Sequence, residues 1–192
     1  MTAREAVSVV VLLALVVLVL WAMRAGWNHR RRRTEGLVGE LPPVPADLGG
    51  ALAGPFDAVY VSTTRAGDWL DRVVAQDLGV RSQARVSVHE SGVLVARSGT
   101  RDVFIPAAAL RGVGNAPGIA GKVVGNDGLV VLTWRPVPTD DRGLDTGLRP
   151  KHAADGPALV AAATALINRT SLTEPDGTAA DGRTNDGTKE KS

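Results

Sequence analysis

The sequence predicts a mainly β domain, a sandwich or open barrel closed by a C-terminal helix, carried behind one N-terminal transmembrane helix. Three observations predict it. Ala6 to Met23 is an almost unbroken apolar run. The middle of the chain alternates apolar and polar residues in short stretches cut by Gly, Ser, Asn and Asp, which is the period-two pattern of antiparallel strands. Near the C-terminus the apolar period lengthens to that of a helix. Strands first and one closing helix last give a layered or barrel-like β domain rather than a parallel α/β sheet.

The apolar run holds seven valines and five leucines, with Ser8 as its only polar residue. Roughly 18 helical residues cover about 27 Å, close to the hydrocarbon thickness of about 30 Å. On an insertion scale the twelve Val and Leu residues contribute about −4 to −7 kcal/mol. The run is apolar all round, so it lacks the polar face of an interfacial helix. As a cleavable leader it fits poorly, because only Arg4 precedes it, beside Glu5, and no small-x-small site follows. Trp21 and Trp27 stand where interfacial aromatics belong. Arg24, Arg30, Arg31, Arg32 and Arg33 flank its C-terminal end. The positive-inside rule therefore predicts a single pass through the inner membrane, with the N-terminus outside and the C-terminal domain cytoplasmic. The same arginines are candidates for contact with anionic lipid.

Composition narrows the function. With 192 residues, the chain has room for one domain of about 115 residues after its appendages. It has no cysteine, which excludes disulfides, thiolate metal sites and cysteine nucleophiles. Net charge is +2, and from Phe56 to Asn168 twelve basic residues face eleven acidic ones. That balance lacks the basic footprint of a nucleic-acid binder.

The predicted organisation is a span and basic juxtamembrane segment over residues 1–33, a linker over 34–55, the domain over 56–168 and a tail over 169–192. The linker holds four prolines and five glycines without apolar periodicity. The tail is Gly/Asp/Thr-rich with a single Leu, too little apolar surface to offset ordering entropy, and is predicted to be disordered.

Within the domain, Phe56–Ser62 reads as a strand. Asp68–Leu78 reads as a helix, with Asp68 as N-cap and Gly79 beyond its end. Its apolar stripe is Trp69, Leu70, Val73, Val74 and Leu78. Arg85–His89, Val93–Arg97 and Arg101–Ile105 read as short antiparallel strands. They are followed by a helical piece from Pro106 to Leu110 and a loop from Gly112 to Gly118. Gly121–Val124 and Leu129–Trp134 read as a hairpin turned by Asn126-Asp127-Gly128. Leu144–Arg149 is a further strand. Pro157–Asn168 is the closing helix, with Leu159, Ala162, Ala163, Leu166 and Ile167 on its apolar face.

No catalytic or metal pattern emerges. "GVGNAPGIAGK" fails the phosphate-loop pattern, since Ala116 stands where its first glycine belongs and Val123 where Ser or Thr should follow the lysine. His29, His89 and His152 lack ligand spacing. No serine sits in a nucleophile elbow. Asp140 and Asp141 are adjacent and read as solvated turn residues, since adjacent acids do not flank a substrate.

Several strings carry a resemblance: "YVSTTRAGDWLDRVVAQDLGVR", "ARVSVHESGVLVARSGTRDVFIPAAALRGV", "IAGKVV", "DGLVVLTW" and "LDTGLRP". Together with the predicted closing helix, they make the region resemble the pleckstrin-homology-like (PH-like) fold. The whole chain is similar to an actinobacterial family of single-span membrane proteins with a bacterial PH-like domain. The resemblance implies a membrane-anchored, non-catalytic domain without an assigned ligand. It does not extend to phosphoinositide binding, because Asp68 and Asp71 accompany Arg65 where a basic pocket would be needed. Thr63, Thr64, Arg65, Lys122, Trp134 and Arg149 form a candidate ligand or partner surface, its cations suited to a carboxylate or phosphate. The plainer alternative packs Trp134 in the core.

The expected function is a membrane-anchored PH-like binding or scaffolding module at the cytoplasmic face of the inner membrane. Its expected partners are the lipid bilayer and a protein or second copy, with no nucleic acid, metal or cofactor and no enzyme activity. The alternative is an accessory subunit of a membrane transport or export complex.

Overall fold

The computed structural model describes residues 11–26, 38–123, 128–137 and 140–173. Residues 11–26 form helix α1, and every one of them is exposed. The domain follows as β1 (Ala51–Arg65), β2 (Asp68–Arg72), β3 (Ser82–His89), β4 (Gly92–Arg97) and β5 (Val103–Pro106). It continues as β6 (Leu110–Ala116), β7 (Gly118–Ile119), β8 (Lys122–Val123), β9 (Leu129–Trp134) and β10 (Leu144–Pro150), and closes with helix α2 (Asp155–Thr173). Short 3-10 turns occupy Ala75–Asp77 and Ala107–Ala109.

Seven strands form one antiparallel path in the order β5-β4-β3-β1-β10-β9-β6, and β2 pairs with β1 beside it. The fifteen residues of β1 make it the hinge of the sheet: its first part pairs with β3 and its last part with β10 and β2. Irregularities at Ala51/Ala53, Ala53/Phe56 and Tyr60/Ser62 bend it, as bulges do where a sheet curls on itself. The inner face of the sheet packs Tyr60, Val86, Val95, Ile105, Leu132, Trp134, Leu144 and Leu148 into one core, closed by Leu159, Ala163 and Leu166 of α2. These α2 residues belong to the face predicted for the closing helix, and Ala162 and Ile167 pack at its margin. Pro157 sits in the first turn, where its missing N–H removes no bond.

Several expectations are corrected. Asp68–Leu78 is not a helix. Asp68 Oδ1 accepts from the N–H groups of Leu70 and Asp71 and turns the chain into β2. Val73 N–H then donates to Thr63 O, and Thr63 N–H donates to Leu78 O, so the segment runs back along β1. Gln76 and Asp77 take left-handed φ values of 53° and 60°, which no helix continues through. The apolar spacing that suggested a helix fits a strand and a tight turn equally: Val73, Ala75 and Leu78 are buried, but Trp69 and Leu70 are exposed.

Gly112–Gly118 is not a loop either. It supplies most of β6, because β9 needs a partner on its far side and glycine backbone pairs as well as any other. Strands β8 and β9 do not pair as the predicted hairpin requires, and residues 124–127, with Asn126 and Asp127 of its turn, lie outside the described residues. β8 instead pairs with β7 through Ala120-Gly121, both at positive φ, while β9 pairs with β6 and β10. β1 begins at Ala51, and Val38 and Leu41 join the core, so part of the Pro/Gly segment is built into the domain. α2 extends to Thr173, past Asn168. The remaining predicted tail, 174–192, lies outside the described residues, as do Trp27, His29 and the arginines at 30–33.

Candidate functional site

Strand alternation gives the middle of the sheet two faces. On β9 and β10, Leu132, Trp134, Leu144, Thr146 and Leu148 point into the main core. Val131, Thr133, Asp145 and Gly147 face the other way. The β7–β8 hairpin lies over this outer face, and its Ile119 packs with Val61 and Leu129 as a small second core. Gly147 makes this possible: a Cβ there would stand 2.7 Å from Ile119 Cγ2. Gly147→Ala is therefore expected to cost about 1–3 kcal/mol by overpacking, read as a lower denaturant midpoint at unchanged m-value.

Beside this hairpin the outer face is open. A cleft of about 400 Å³ is floored by Gly112 and Gly114 of β6, Val131 and Thr133 of β9, Asp145 of β10 and Thr64 of β1. Trp69 of β2 and Gly118 and Ile119 of β7 form its walls. A Cβ at Gly114 would meet nothing within 4 Å, so the floor there is bare backbone under open space. The Asp145 carboxylate is half-buried and accepts from Thr133 Oγ1 at 2.7 Å and Gly67 N–H at 3.1 Å. Among the described residues no cation pairs with it. Thr64 Oγ1 is buried and has no hydrogen-bond partner among the described residues. Trp69 exposes half of its surface at the rim.

The six predicted surface residues are divided by the structure, and only Thr64 lines the cleft. Thr63 and Trp134 point into the core and belong to one buried chain. Tyr60 OH donates to Leu78 O at 2.8 Å, so its oxygen accepts from Thr63 Oγ1 at 2.6 Å. Thr63 in turn accepts from Thr146 Oγ1 at 2.8 Å, and Thr146 accepts from Trp134 Nε1–H at 2.9 Å. Each polar atom in this chain has a partner, which is what lets it lie inside the core. Arg65 is buried and paired with Asp140 at 3.4 Å. That pairing also corrects the reading of Asp140 as a solvated turn residue, while Asp141 is exposed. Lys122 and Arg149 are both exposed, on β8 and β10. Thr63, Thr64 and Arg65 are sequence neighbours, and alternation along β1 sends Thr64 to the face opposite Thr63, while Lys122, Trp134 and Arg149 come from three other strands. Trp69 was read into the stripe of a helix that does not form, and Thr133 and Asp145 meet only through the pairing of β9 with β10.

A second buried polar group adjoins this chain at Tyr60. The Arg97 guanidinium sits 3.9 Å above the Tyr60 ring. It donates to Asp77 O at 3.0 Å, Val80 O at 2.6 Å, Arg101 O at 3.3 Å and Ser82 Oγ at 3.1 Å. Among the described residues no carboxylate pairs with its side chain, so burial dominates and pulls its pKa below the ordinary arginine value. Burial likewise pushes the Tyr60 hydroxyl up to about 12, against opposing contributions from Thr63 and Arg97. The Arg97 contacts clamp the turn that replaced the predicted helix. His89 is half-buried, with Nε2 2.9 Å from Ser87 Oγ. No group of three or more potential metal ligands occurs among the described residues.

A bent antiparallel sheet curled around one core, closed by a C-terminal helix and bearing an open cleft on its outer face, defines a small β-barrel-like domain. The profile of the Bacterial PH domain-like family matches residues 38–164, and the chain belongs to that family. No curated protein matches the chain. PH-like domains are in general binding or scaffolding modules rather than catalysts.

Proposed function

We propose that this chain is a membrane-anchored, non-catalytic PH-like binding module, its domain on the cytoplasmic face of the inner membrane and its cleft turned to a protein partner. The observation that carries the reading is α1. Its sixteen described residues are almost all Val, Leu, Ala, Trp or Met, and they are exposed on every side. At about 25 cal/mol per Å², that surface is strongly unfavourable in water. A partner helix covers one stripe, whereas lipid covers the whole circumference. Among the described residues no helix is long and apolar enough to cross a membrane. Sixteen residues make about 24 Å, and the start of the predicted span, residues 6–10, lies outside the described residues. The tether would hold the domain near membrane partners and raise their effective concentration without new contacts.

The test uses the absence of cysteine. In the full chain, Ser98→Cys places one thiol in the exposed β4–β5 turn. The protein is expected to pellet with membranes after alkaline carbonate extraction, and a variant lacking residues 1–33 is expected to stay in the supernatant. A membrane-impermeant maleimide is expected to label the introduced thiol only after spheroplasts are lysed. Carbonate release of the full chain, or labelling of intact spheroplasts, would overturn the anchoring or the orientation.

A further inference from the structure

We propose that the outer-face cleft takes a cationic side chain, lysine or arginine, from a protein partner; this rests on the reading of the domain as a binding module and gives that module its ligand chemistry. Three observations converge. Asp145 presents a half-buried carboxylate without a cation among the described residues. It already holds two donors, from Thr133 and Gly67, and these fix its orientation. A carboxylate has about four lone-pair positions, so acceptor capacity remains.

Thr64 Oγ1 is the second. It is buried, lines the same cleft and has no partner among the described residues. Buried hydroxyls are ordinarily hydrogen-bonded, and an ammonium or guanidinium entering the cleft supplies the missing donor. The third is Trp69, a half-exposed indole at the rim. Indole is the aromatic side chain best suited to a cation over its face.

The rim carries charges of both signs. Asp68 and Asp71 are exposed on β2 beside Trp69. Two basic groups stand on the flanking strands: Arg72 of β2, whose guanidinium donates to Ala120 O at 3.3 Å, and Lys122 of β8. The bare floor at Gly114 leaves room for the aliphatic stem of a long side chain. An anionic ligand would meet the Asp145 carboxylate directly, so a phosphate or lipid head group is disfavoured here.

The test uses the full chain in detergent micelles, labelled with nitrogen-15. The indole N–H signal of Trp69 is identified among the four tryptophans by Trp69→Phe. The probes are acetylated, amidated pentapeptides with lysine, arginine, norleucine or glutamate between paired glycines. Saturable shifts are expected with the lysine and arginine peptides only, weakening as salt rises. Asp145→Asn is expected to weaken them at least tenfold. Thr64→Val, which keeps the shape and removes the unpartnered hydroxyl, is expected to weaken them about threefold at unchanged thermal stability. If Asp145→Asn fails to fold, Thr64→Val and the peptide series decide. Equal binding of norleucine, preferential binding of glutamate, or no saturable shift with any peptide would each overturn the proposal. The carbonate and labelling experiments decide the anchoring independently of these results.

Discussion

Arg97→Met is expected to destabilise the domain by about 3–5 kcal/mol, one of the two largest effects anticipated for this protein. Replacing a buried ion pair with apolar residues is often harmless, because both charges leave together. Arg97 differs, since its partners are the backbone carbonyls of Asp77, Val80 and Arg101 and the Ser82 hydroxyl. Those acceptors remain when the guanidinium goes, and each buried acceptor left without a donor costs about 1–3 kcal/mol. Water can reach some of them, which keeps the total below a simple sum. The loss of the cation over the Tyr60 ring adds about 1 kcal/mol. Arg97→Lys should recover only a small part, because one ammonium cannot span carbonyls on both sides of the turn. Urea titration would read this as a lower midpoint at similar m-value. A loss under about 1 kcal/mol, the size of one ordinary hydrogen bond, would show that the Ala75–Ser82 segment holds itself without the clamp.

The second large effect is a pH dependence. Tyr60 is the only tyrosine, so tyrosinate absorbance reports this one residue. Its hydroxyl is expected to ionise near pH 12 in the folded chain and near its ordinary 10.0 in urea. Below pH 10 both states keep the proton, and the group leaves stability unchanged. Between about 10 and 12 the unfolded chain releases the proton while the folded one holds it, so unfolding becomes easier by up to about 1.4 kcal/mol per pH unit. The total loss is about 3 kcal/mol, complete above about pH 12. Tyr60→Phe should abolish this slope, while costing about 1–2 kcal/mol at neutral pH for the bond to Leu78 O and the broken end of the threonine chain. A folded-state midpoint near the ordinary 10.0 would show that solvent reaches the hydroxyl.

The fold class was legible in the sequence because its signals are local. Val86 and Val88 alternate with polar residues, Ser98-Gly99 turns the chain, and the small residues of α2 recur at helical spacing. The errors fell where local pattern and long-range pairing disagree. The stripe from Trp69 to Leu78 satisfied a helical template, but hydrogen bonds from Val73 to Thr63 and from Thr63 to Leu78 drew the segment onto β1. Asn126-Asp127-Gly128 is a strong turn signal, but β9 had better partners in β6 and β10. The glycines at 112 and 114 read as loop because strand propensity describes side chains, and on this face the strand uses none. The cleft was the least legible part. It is assembled from β1, β2, β6, β7, β9 and β10, and one sequence without pairing information cannot say which residues share a face.

The β1–β10–β9 portion of the sheet acts as a partition between two unequal compartments. On one side lies the large interior that keeps the domain folded. On the other, among the described residues, Val61, Ile119 and Leu129 are the only fully enclosed apolar group. Consecutive residues such as Leu144 and Asp145, or Leu132 and Thr133, therefore answer to different demands. The recognition side can change its chemistry, one alternate residue at a time, while the wall that bears it stays standing.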